Sequence, residues 1–291
     1  MADPDGPVVL VEPFGLGGGP DIVARVLAPR LTEIWGVPVE VNNRAGAGAT
    51  AAPAFVAAAR ADGRTLLLNT SAHAYSAALV AALPYDPGAF VAIAPVSSQP
   101  YVLVAASSTG IRTLSDLVRE GQAKLRFASS GVGTATHVGV AQLNAELGIS
   151  ASHLSAGPTD AGADTAGRVA AGAGDYAMAP ISMAEPLIAS GAVFALGVST
   201  SRRSRRLPDV PTLSEAGAPG FDFPIWYGIW APSATPTAIV RRLAAAIAQT
   251  LEAPELRAWL LEHDADPMSM SQPEFSAFVA RETERARQIT V

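Results

Sequence analysis

Short apolar runs alternate with longer helical repeats along the first third of the chain. The runs VVLVEP, VEVNN and RTLLLNT have the length of strands and are rich in valine or leucine. In the segment after the first run, Ile22, Val23, Val26, Leu27 and Leu31 recur at helical spacing. Strands that alternate with helices in this way predict a parallel sheet with helices on both faces.

The same alternation resumes from about residue 101 and changes near the end of the chain. Strands are predicted for YVLVAA, LRFASS, HLSA, DYAMAP and VFALGVST, with helical segments between them. A connector rich in proline and glycine, residues 206–224, leads to an aromatic strand, IWYGIWAP. The chain then becomes helical, and Thr235 and Pro236 predict the N-cap and first position of the next helix.

The composition fits a globular protein long enough for two domains. The 291 residues are 49% hydrophobic and 16% charged, and no apolar run approaches the ~18 residues that span a bilayer. The formal net charge of −6 argues against a nucleic-acid partner, and the lack of cysteine excludes disulfides and thiolate sites. The beginning, MADPDGP, lacks the basic and apolar regions of a signal peptide, which leaves a cytoplasmic protein or a processed exported one.

The stretch PFGLGGGPDIVAR, residues 13–25, joins the first predicted strand directly to the first predicted helix. A glycine-rich turn at this point exposes helix N–H groups and the positive end of the helix dipole, which suits an anion. A dinucleotide turn would need a third glycine where Pro20 stands, and a Walker loop would need a lysine, whereas Lys124 is the only lysine. A phosphate ligand is therefore disfavoured.

A second strand–glycine–helix turn lies in the other half of the chain, within LRFASSGVGTATHVGVAQL at residues 125–143. If the two halves face each other, both helix N-termini can point at one anion. The alternative is that the glycines simply permit tight turns between strand and helix. The presence of two such turns, each with small or hydroxylated residues nearby, favours a binding site.

The side chains near these turns do not assemble a recognisable catalytic group. Ser130 and His137 are the candidates for a hydrolase, but the G-x-S-x-G elbow is missing and no third group can be assigned. His137 is interpreted as orienting its loop, and Asp21 as stabilising the helix N-terminus. The histidines lack the spacing of a zinc site. The aromatic residues Trp226 and Trp230 are interpreted as core, with the wall of a cleft as the alternative.

Several segments together resemble one family. In chain order they are PFGLGGGPDIVARVLAPRL, GVPVEVNNRAGAGAT, ADGRTLLLNTSAHA, LPYDPGAF, FASSGVGTATHVG, LPDVPTLSEAGAPGF, WYGIWAPSATPTAIVRRL and SQPEFSAFVARE. On these segments the chain is similar to the periplasmic substrate-binding proteins of tripartite tricarboxylate transporters, the Bug family. The resemblance covers nearly the whole sequence.

The resemblance implies an α/β, two-domain periplasmic-binding-protein fold of the Venus flytrap, type II-like kind, in which each domain has a mostly parallel sheet flanked by helices. Residues 1–100 and 226–291 would form the first domain and residues 101–225 the second, with the ligand cleft between them. The protein, as a periplasmic monomer, would capture a small organic carboxylate by domain closure and deliver it to membrane permease subunits. No catalysis, cofactor, metal or nucleic acid is implied. The alternatives are a ligand sensor for a signalling receptor or, less favoured, a hydrolase.

Three stretches are implied to border the cleft. Two of them are the glycine-rich turns already described, and the third follows the strand RTLLLNT. The implied ligand-binding residues are Phe14, Gly17, Gly18, Gly19, Asp21, Ser71, His73, Ser129, Ser130, Gly131, Gly133, Thr134 and His137.

The sequence departs from the family pattern at three places. After His153 it reads LSAGPTDAG where relatives have a pattern close to VPYKG, so an aromatic and a basic residue are missing. Gly15 and Leu16 replace a pair of prolines in the first turn, and an Ala-Pro pair after DYAM stands where an acidic residue is common. We hypothesise an altered or widened pocket, with residues 154–162 affecting the specificity for the ligand.

Overall fold

The computed structural model describes residues 6–46, 49–121, 124–155 and 164–288, and the chain divides into two compact units. Unit 1 comprises the chain up to Ser98 together with Trp226–Ala286. Unit 2 comprises Gln99–Ile225, and the chain from Arg287 is grouped with it. The backbone therefore passes from unit 1 to unit 2 and back again. The atypical segment 154–162 lies outside the described residues from residue 156 onwards.

Strands and helices alternate along most of the chain, as the hydrophobic pattern predicts. In chain order the elements are β1 (Val8–Glu12), α1 (Gly19–Trp35), β2 (Val39–Asn43), α2 (Ala51–Ala57), β3 (Thr65–Thr70), α3 (Ala72–Leu79), β4 (Phe90–Gln99), β5 (Tyr101–Ala106), α4 (Leu114–Glu120), β6 (Leu125–Ser129), α5 (Ala135–Leu147), β7 (Ala151–Ser155), α6 (Thr165–Ala170), β8 (Tyr176–Pro180), α7 (Ile181–Ala189), β9 (Val193–Val198), α8 (Leu213–Ala216), β10 (Ile225–Pro232), α9 (Thr237–Leu251), α10 (Pro254–Glu262), β11 (Asp266–Pro267) and α11 (Gln272–Arg287). Apart from single terminal residues, β5 to α8 lie in unit 2 and the other elements in unit 1.

Each unit contains a mixed sheet. Within the described residues, the strand order is β11-β4-β10-β3-β1-β2 in unit 1 and β7-β6-β8-β5-β9 in unit 2. β1 is parallel to β2 and β3, and β6 is parallel to β7 and β8. β10 runs antiparallel to β3, and β5 runs antiparallel to β8 and β9. The α/β class predicted from the sequence is confirmed, and antiparallel strands extend the parallel part of each sheet.

The parallel strands bring the two glycine-rich turns to equivalent places. The carboxyl ends of β1 and β3 share one edge of the unit 1 sheet, and those of β6, β7 and β8 share one edge of the unit 2 sheet. Helix α1 begins a few residues after β1, and α5 begins a few residues after β6. In open α/β sheets, ligands bind at this edge.

The core of unit 1 accounts for the aromatic strand. All residues of β10 are buried, and Trp226 and Trp230 are 1% and 2% exposed. The rings of both tryptophans contact Phe275 of α11, with centroids 5.9 and 5.7 Å from its centroid. The aromatic strand is therefore core, as the sequence interpretation favours. In neither unit do the described residues include a helix of the length and apolar character that a membrane crossing requires.

The predicted helix cap at Thr235 is wrong. Helix α9 begins at Thr237 with Pro236 as its N-cap residue, and no side chain caps it. The extended backbone of Pro236, with φ −54° and ψ 137°, places the start of the helix one residue later than predicted. Thr235 is buried instead, and its Oγ1 has no hydrogen-bond partner within the described residues.

We expect Gly228→Ala to destabilise unit 1. A Cβ atom on Gly228 would lie 3.0 Å from Cη2 of Trp230 and closer still to Cζ of Phe275, and both rings are buried. Overpacking a core costs about 1–3 kcal/mol, so the thermal midpoint of unfolding should fall by several degrees. A midpoint equal to or above that of the wild type, measured by calorimetry, would contradict this packing.

Candidate functional site

The turn between β1 and α1, residues 13–21 and here called turn A, leaves part of the helix N-terminus unbonded. Gly18 is the N-cap residue of α1, and Gly17 has a φ of 78°, a conformation that favours glycine. Within the described residues, the N–H groups of Leu16 and Gly19 have no hydrogen-bond partner. Leu16 is 77% exposed at the tip of the turn. Turn A therefore offers main-chain donors to an anion.

Asp21 supports turn A from inside and is 2% exposed. Its Oδ2 accepts a hydrogen bond from the Gly17 N–H at 2.9 Å, and its Oδ1 accepts from Arg25 Nε at 2.9 Å and from Asn43 Nδ2 at 2.8 Å. Burial acts to raise the pKa of Asp21, but the hydrogen bonds from Arg25, Gly17 and Asn43 lower it below its ordinary value. Asp21 is thus ionised and occupies the Gly17 N–H, which is the helix-stabilising role that the sequence interpretation favours.

Glu12 is a second buried carboxyl group beside turn A, and sequence reasoning missed it. Glu12 ends β1, is fully buried and accepts a hydrogen bond from the N–H of half-buried Phe14 at 2.8 Å. The side-chain amide of Asn43 also donates to Glu12, so Asn43 joins the carboxyl groups of Glu12 and Asp21. Burial raises the pKa of Glu12 to about 7, although the hydrogen bonds from Phe14 and Asn43 act in the opposite direction. The available sequence signal was an acidic residue at the end of an apolar strand.

The turn between β6 and α5, residues 129–137 and here called turn B, is closed by its own hydroxyl groups. Thr134 Oγ1 donates to the Gly131 carbonyl at 2.6 Å, and the Ser130 N–H donates to Thr136 Oγ1 at 3.0 Å. Gly131 has a φ of 134°, outside the range that other residues adopt readily. Turn B is therefore held in shape without a buried charge of its own.

Helix α5 also has unbonded donors in its first turn. Thr134 is the N-cap residue, and its side chain makes no capping hydrogen bond. Within the part of the chain that the structure describes, the N–H groups of Ala135 and Thr136 and the Ser130 hydroxyl have no hydrogen-bond partner. Val132 is 46% exposed at the tip of the turn. Turn B repeats in unit 2 the arrangement that turn A has in unit 1.

A cluster of Ser129, His137 and His153 lies next to turn B. Ser129 Oγ lies 2.6 Å from His153 Nε2 and accepts a hydrogen bond from the Gly131 N–H at 3.0 Å. His137 Nδ1 accepts from the Gly133 N–H at 3.4 Å, and the two imidazole centroids are 4.2 Å apart. Burial lowers the pKa of both histidines, to about 4 for His137, so both are neutral at pH 7.

This cluster pairs side chains other than those of the hydrolase that the sequence left as an alternative. Ser130 and His137 make no hydrogen bond to each other, and it is Ser129 that pairs with His153. Ser129 is fully buried, and no carboxylate of the described residues orients either histidine. The described residues likewise contain no group of three or more potential metal ligands.

Ser71 and His73, the third predicted stretch, lie at the start of α3. Ser71 is fully buried, and its N–H donates to the Trp226 carbonyl at 2.8 Å. His73 is 7% exposed, and its ring centroid lies 4.6 and 4.8 Å from those of Phe90 and Trp230. Burial lowers the pKa of His73 to about 3. His73 lines a cavity of about 280 Å³ within unit 1, and the described residues around this cavity include none from turn A.

The sequence relatives decide the family. Residues 23–290 match the sequence pattern of a protein family, the tripartite tricarboxylate transporter family receptor. The chain belongs to this receptor family. A UPF0065 protein from the tcbD–tcbE intergenic region of a Pseudomonas species is 34% identical over 88% of this chain and 76% of its own length. BugT from Bordetella pertussis is 30% identical over 97% of this chain and 87% of its own length.

Solved structures similar to this receptor-family chain have the same fold. MatC from Rhodopseudomonas palustris with bound malate is 30% identical, with a TM-score of 0.87 over 98% of this chain and 99% of that chain. An R. palustris protein with adipate is 28% identical, with a TM-score of 0.87 over 98% of this chain and 96% of that chain. The periplasmic binding protein BugD is 27% identical, with a TM-score of 0.85 over 98% of this chain and 96% of that chain. The resemblance to the Bug proteins is therefore confirmed.

We expect the raised pKa of Glu12 to make the free energy of unfolding depend on pH, and Glu12→Gln to remove this contribution. Because the pKa of Glu12 is raised above its unfolded value, its contribution to the free energy of unfolding is fully present below about pH 4.5 and is lost as the pH rises through about 7. Between about pH 4.5 and 8, the wild type should lose about 3 kcal/mol relative to the variant. Denaturant unfolding at a series of pH values measures this difference.

The buried histidines act in the opposite sense below about pH 6.5, because their lowered pKa values make protonation unfavourable in the folded state. They are present in both proteins, so the difference between the two pH profiles isolates Glu12. Profiles that differ only by a constant would show that Glu12 does not titrate in this range.

Proposed function

We propose that this chain is a solute-binding protein that captures a small organic carboxylate with turn A and turn B together and passes it to a tripartite tricarboxylate-type permease. The observation that carries the proposal is the pair of strand–glycine–helix turns, one in each unit. In both turns, N–H groups at the helix N-terminus have no partner among the described residues. Such groups bind anions by direct hydrogen bonds and through the helix dipole.

The family supports a carboxylate as the anion and a role in uptake. Two similar structures contain malate and adipate, both of which are dicarboxylates. The matching family is a transporter receptor family, and BugD is a periplasmic binding protein. By this analogy the chain acts in the periplasm. We propose that it acts there as a monomer.

Ligand capture in this proposal requires no chemical step. The two units close on the carboxylate, exclude water and bring both sets of main-chain donors to it. Hydrogen bonds to a charged group contribute about 1.5–3 kcal/mol each, and they strengthen further as water leaves. The negative net charge of the chain does not oppose this binding, because local N–H groups and dipoles dominate inside a closed site.

Removing one main-chain donor from turn A should weaken the binding of the carboxylate. Gly19→Pro deletes the N–H at the first position of α1, where proline is tolerated. The preceding Gly18 has φ −68° and ψ 159°, the extended conformation that a residue before proline prefers. Gly19→Ala keeps the N–H and places the same Cβ atom before Pro20, so it is the matched control. In calorimetric titrations with malate and adipate, we expect a loss of about 10- to 100-fold for Gly19→Pro and less than about threefold for Gly19→Ala.

The equivalent substitution in turn B is Ala135→Pro, with Ala135→Gly as its control. Thr134, which precedes it, also has an extended backbone with φ −78° and ψ 159°. If both turns hold one ligand, both proline variants weaken the binding of the same carboxylate. A loss confined to one turn would contradict the shared site, and a wild-type protein that binds no carboxylate would contradict the function itself.

A further inference from the structure

Arg168 lies at the carboxyl ends of the parallel strands next to turn B. It belongs to α6 and is half-buried. Its Nη1 donates to the Ser129 carbonyl at 2.9 Å, and its Nη2 donates to the Ser155 carbonyl at 3.3 Å. Ser129 ends β6 and begins turn B, while Ser155 ends β7. The guanidinium group is therefore fixed beside turn B.

No carboxylate within the described residues balances the charge of Arg168. By contrast, Arg126 near the other end of β6 forms an ion pair, in which its Nη2 lies 3.6 Å from Oδ1 of Asp175. The nearest acidic residue along the chain is Asp164, and its carboxylate accepts from the Gly167 N–H to cap α6. Arg168 is thus a half-buried cation without a counter-ion among the described residues around it.

Arg168 also has unused hydrogen-bond donors. A guanidinium group carries five N–H donors in a planar fork, and the contacts with the two strand ends use one N–H on each terminal nitrogen. The unused donors match the geometry of a carboxylate, which arginine binds in bidentate fashion. An anion bound here would supply the counter-ion that the described residues around Arg168 do not provide.

The two turns differ in local charge. Next to turn A, the carboxylate of Asp21 balances the charge of Arg25, and its Oδ1 lies 2.9 Å from Arg25 Nε. Next to turn B, burial keeps His137 and His153 neutral by lowering their pKa values, and the charge of Arg168 lowers that of His153 further. Among these groups, Arg168 is the one that contributes a positive charge without a compensating carboxylate.

We propose that Arg168 binds a carboxylate of the ligand at turn B and makes this turn the end of the site that requires a negative charge. The inference rests on the proposed function and adds to it the orientation of the ligand. Turn A offers main-chain donors without net positive charge, so it accepts a neutral polar group as well as a carboxylate. The ligand class is then an organic acid whose second end need not be ionised.

The test compares the binding of adipate with that of monomethyl adipate, which has one negative charge fewer, and repeats the comparison with succinate and monomethyl succinate. Arg168→Gln removes the charge but keeps a hydrogen-bond donor, and Arg168→Lys keeps the charge. Arg126→Gln is the matched control, since it removes a positive charge from the opposite end of β6.

We expect Arg168→Gln to weaken the binding of diacid and monoester alike by about 10- to 100-fold. Arg168→Lys should lose less affinity, and the affinity of Arg126→Gln should stay within about threefold of the wild type. The wild type should bind each monoester within about tenfold of its diacid.

Two results would overturn the role of Arg168 and leave the proposed function standing. One is binding by Arg168→Gln within about threefold of the wild type, for any carboxylate that the wild type binds. The other is equal loss in Arg168→Lys and Arg168→Gln with a lowered thermal midpoint in both, because that pattern marks a structural link between strand ends. If the wild type binds none of the probes, the proposed function falls and this inference falls with it.

A titration of His153 by nuclear magnetic resonance tests the position of the charge without any ligand. Because the guanidinium group helps to lower the pKa of His153, Arg168→Gln should raise it, whereas Arg126→Gln should not. An unchanged titration of His153 in Arg168→Gln would show that the guanidinium charge is not beside turn B, and would overturn the proposal.

Discussion

The unbonded N–H groups at the starts of α1 and α5 are the feature on which the rest of the candidate site depends. Every helix leaves such donors at its N-terminus, and they need a partner or water. In each unit the parallel strands place them at the carboxyl edge of that unit's own sheet, because the strand, the turn and the helix follow one another in a fixed direction. The glycines keep the turns short and open, so the donors are not covered by the side chains of the turn itself.

The two turns are stabilised in different ways, and this difference sets their charge. In turn A, the chain itself supplies an anion: Asp21 takes the Gly17 N–H, and Asn43 ties it to Glu12. In turn B, neutral hydroxyl groups stabilise the turn instead. No carboxylate of the residues that the structure describes offsets the dipole of α5 and the charge of Arg168. A negatively charged ligand group is therefore favoured more at turn B than at turn A.

Local patterns were sufficient to predict most strands, most helices and both turns, because these depend on neighbouring residues, whereas β4 and the two-residue β11 were not predicted. The contacts that complete the turns join distant parts of the chain: Asn43 reaches Glu12 across 31 positions, and His153 reaches Ser129 across 24. No periodicity marks such pairs, so Glu12, His153 and Arg168 could not be assigned from the sequence. The pairing of Ser129 instead of Ser130 with a histidine was hidden for the same reason.

On the proposed function, recognition by the main chain would explain why the sequence indicates a class of ligand and not one ligand. N–H donors are present whatever the side chains are, so they select an anion and carry no information about the rest of the molecule. Discrimination must then come from the few side chains that the turns present. On the proposed function, Arg168 selects the charge of the ligand. The apolar side chains that the two turns expose are Leu16 and Val132, which are 77% and 46% exposed. Specificity in this chain would therefore change through these positions while the hydrogen-bonded frame of each turn stays intact.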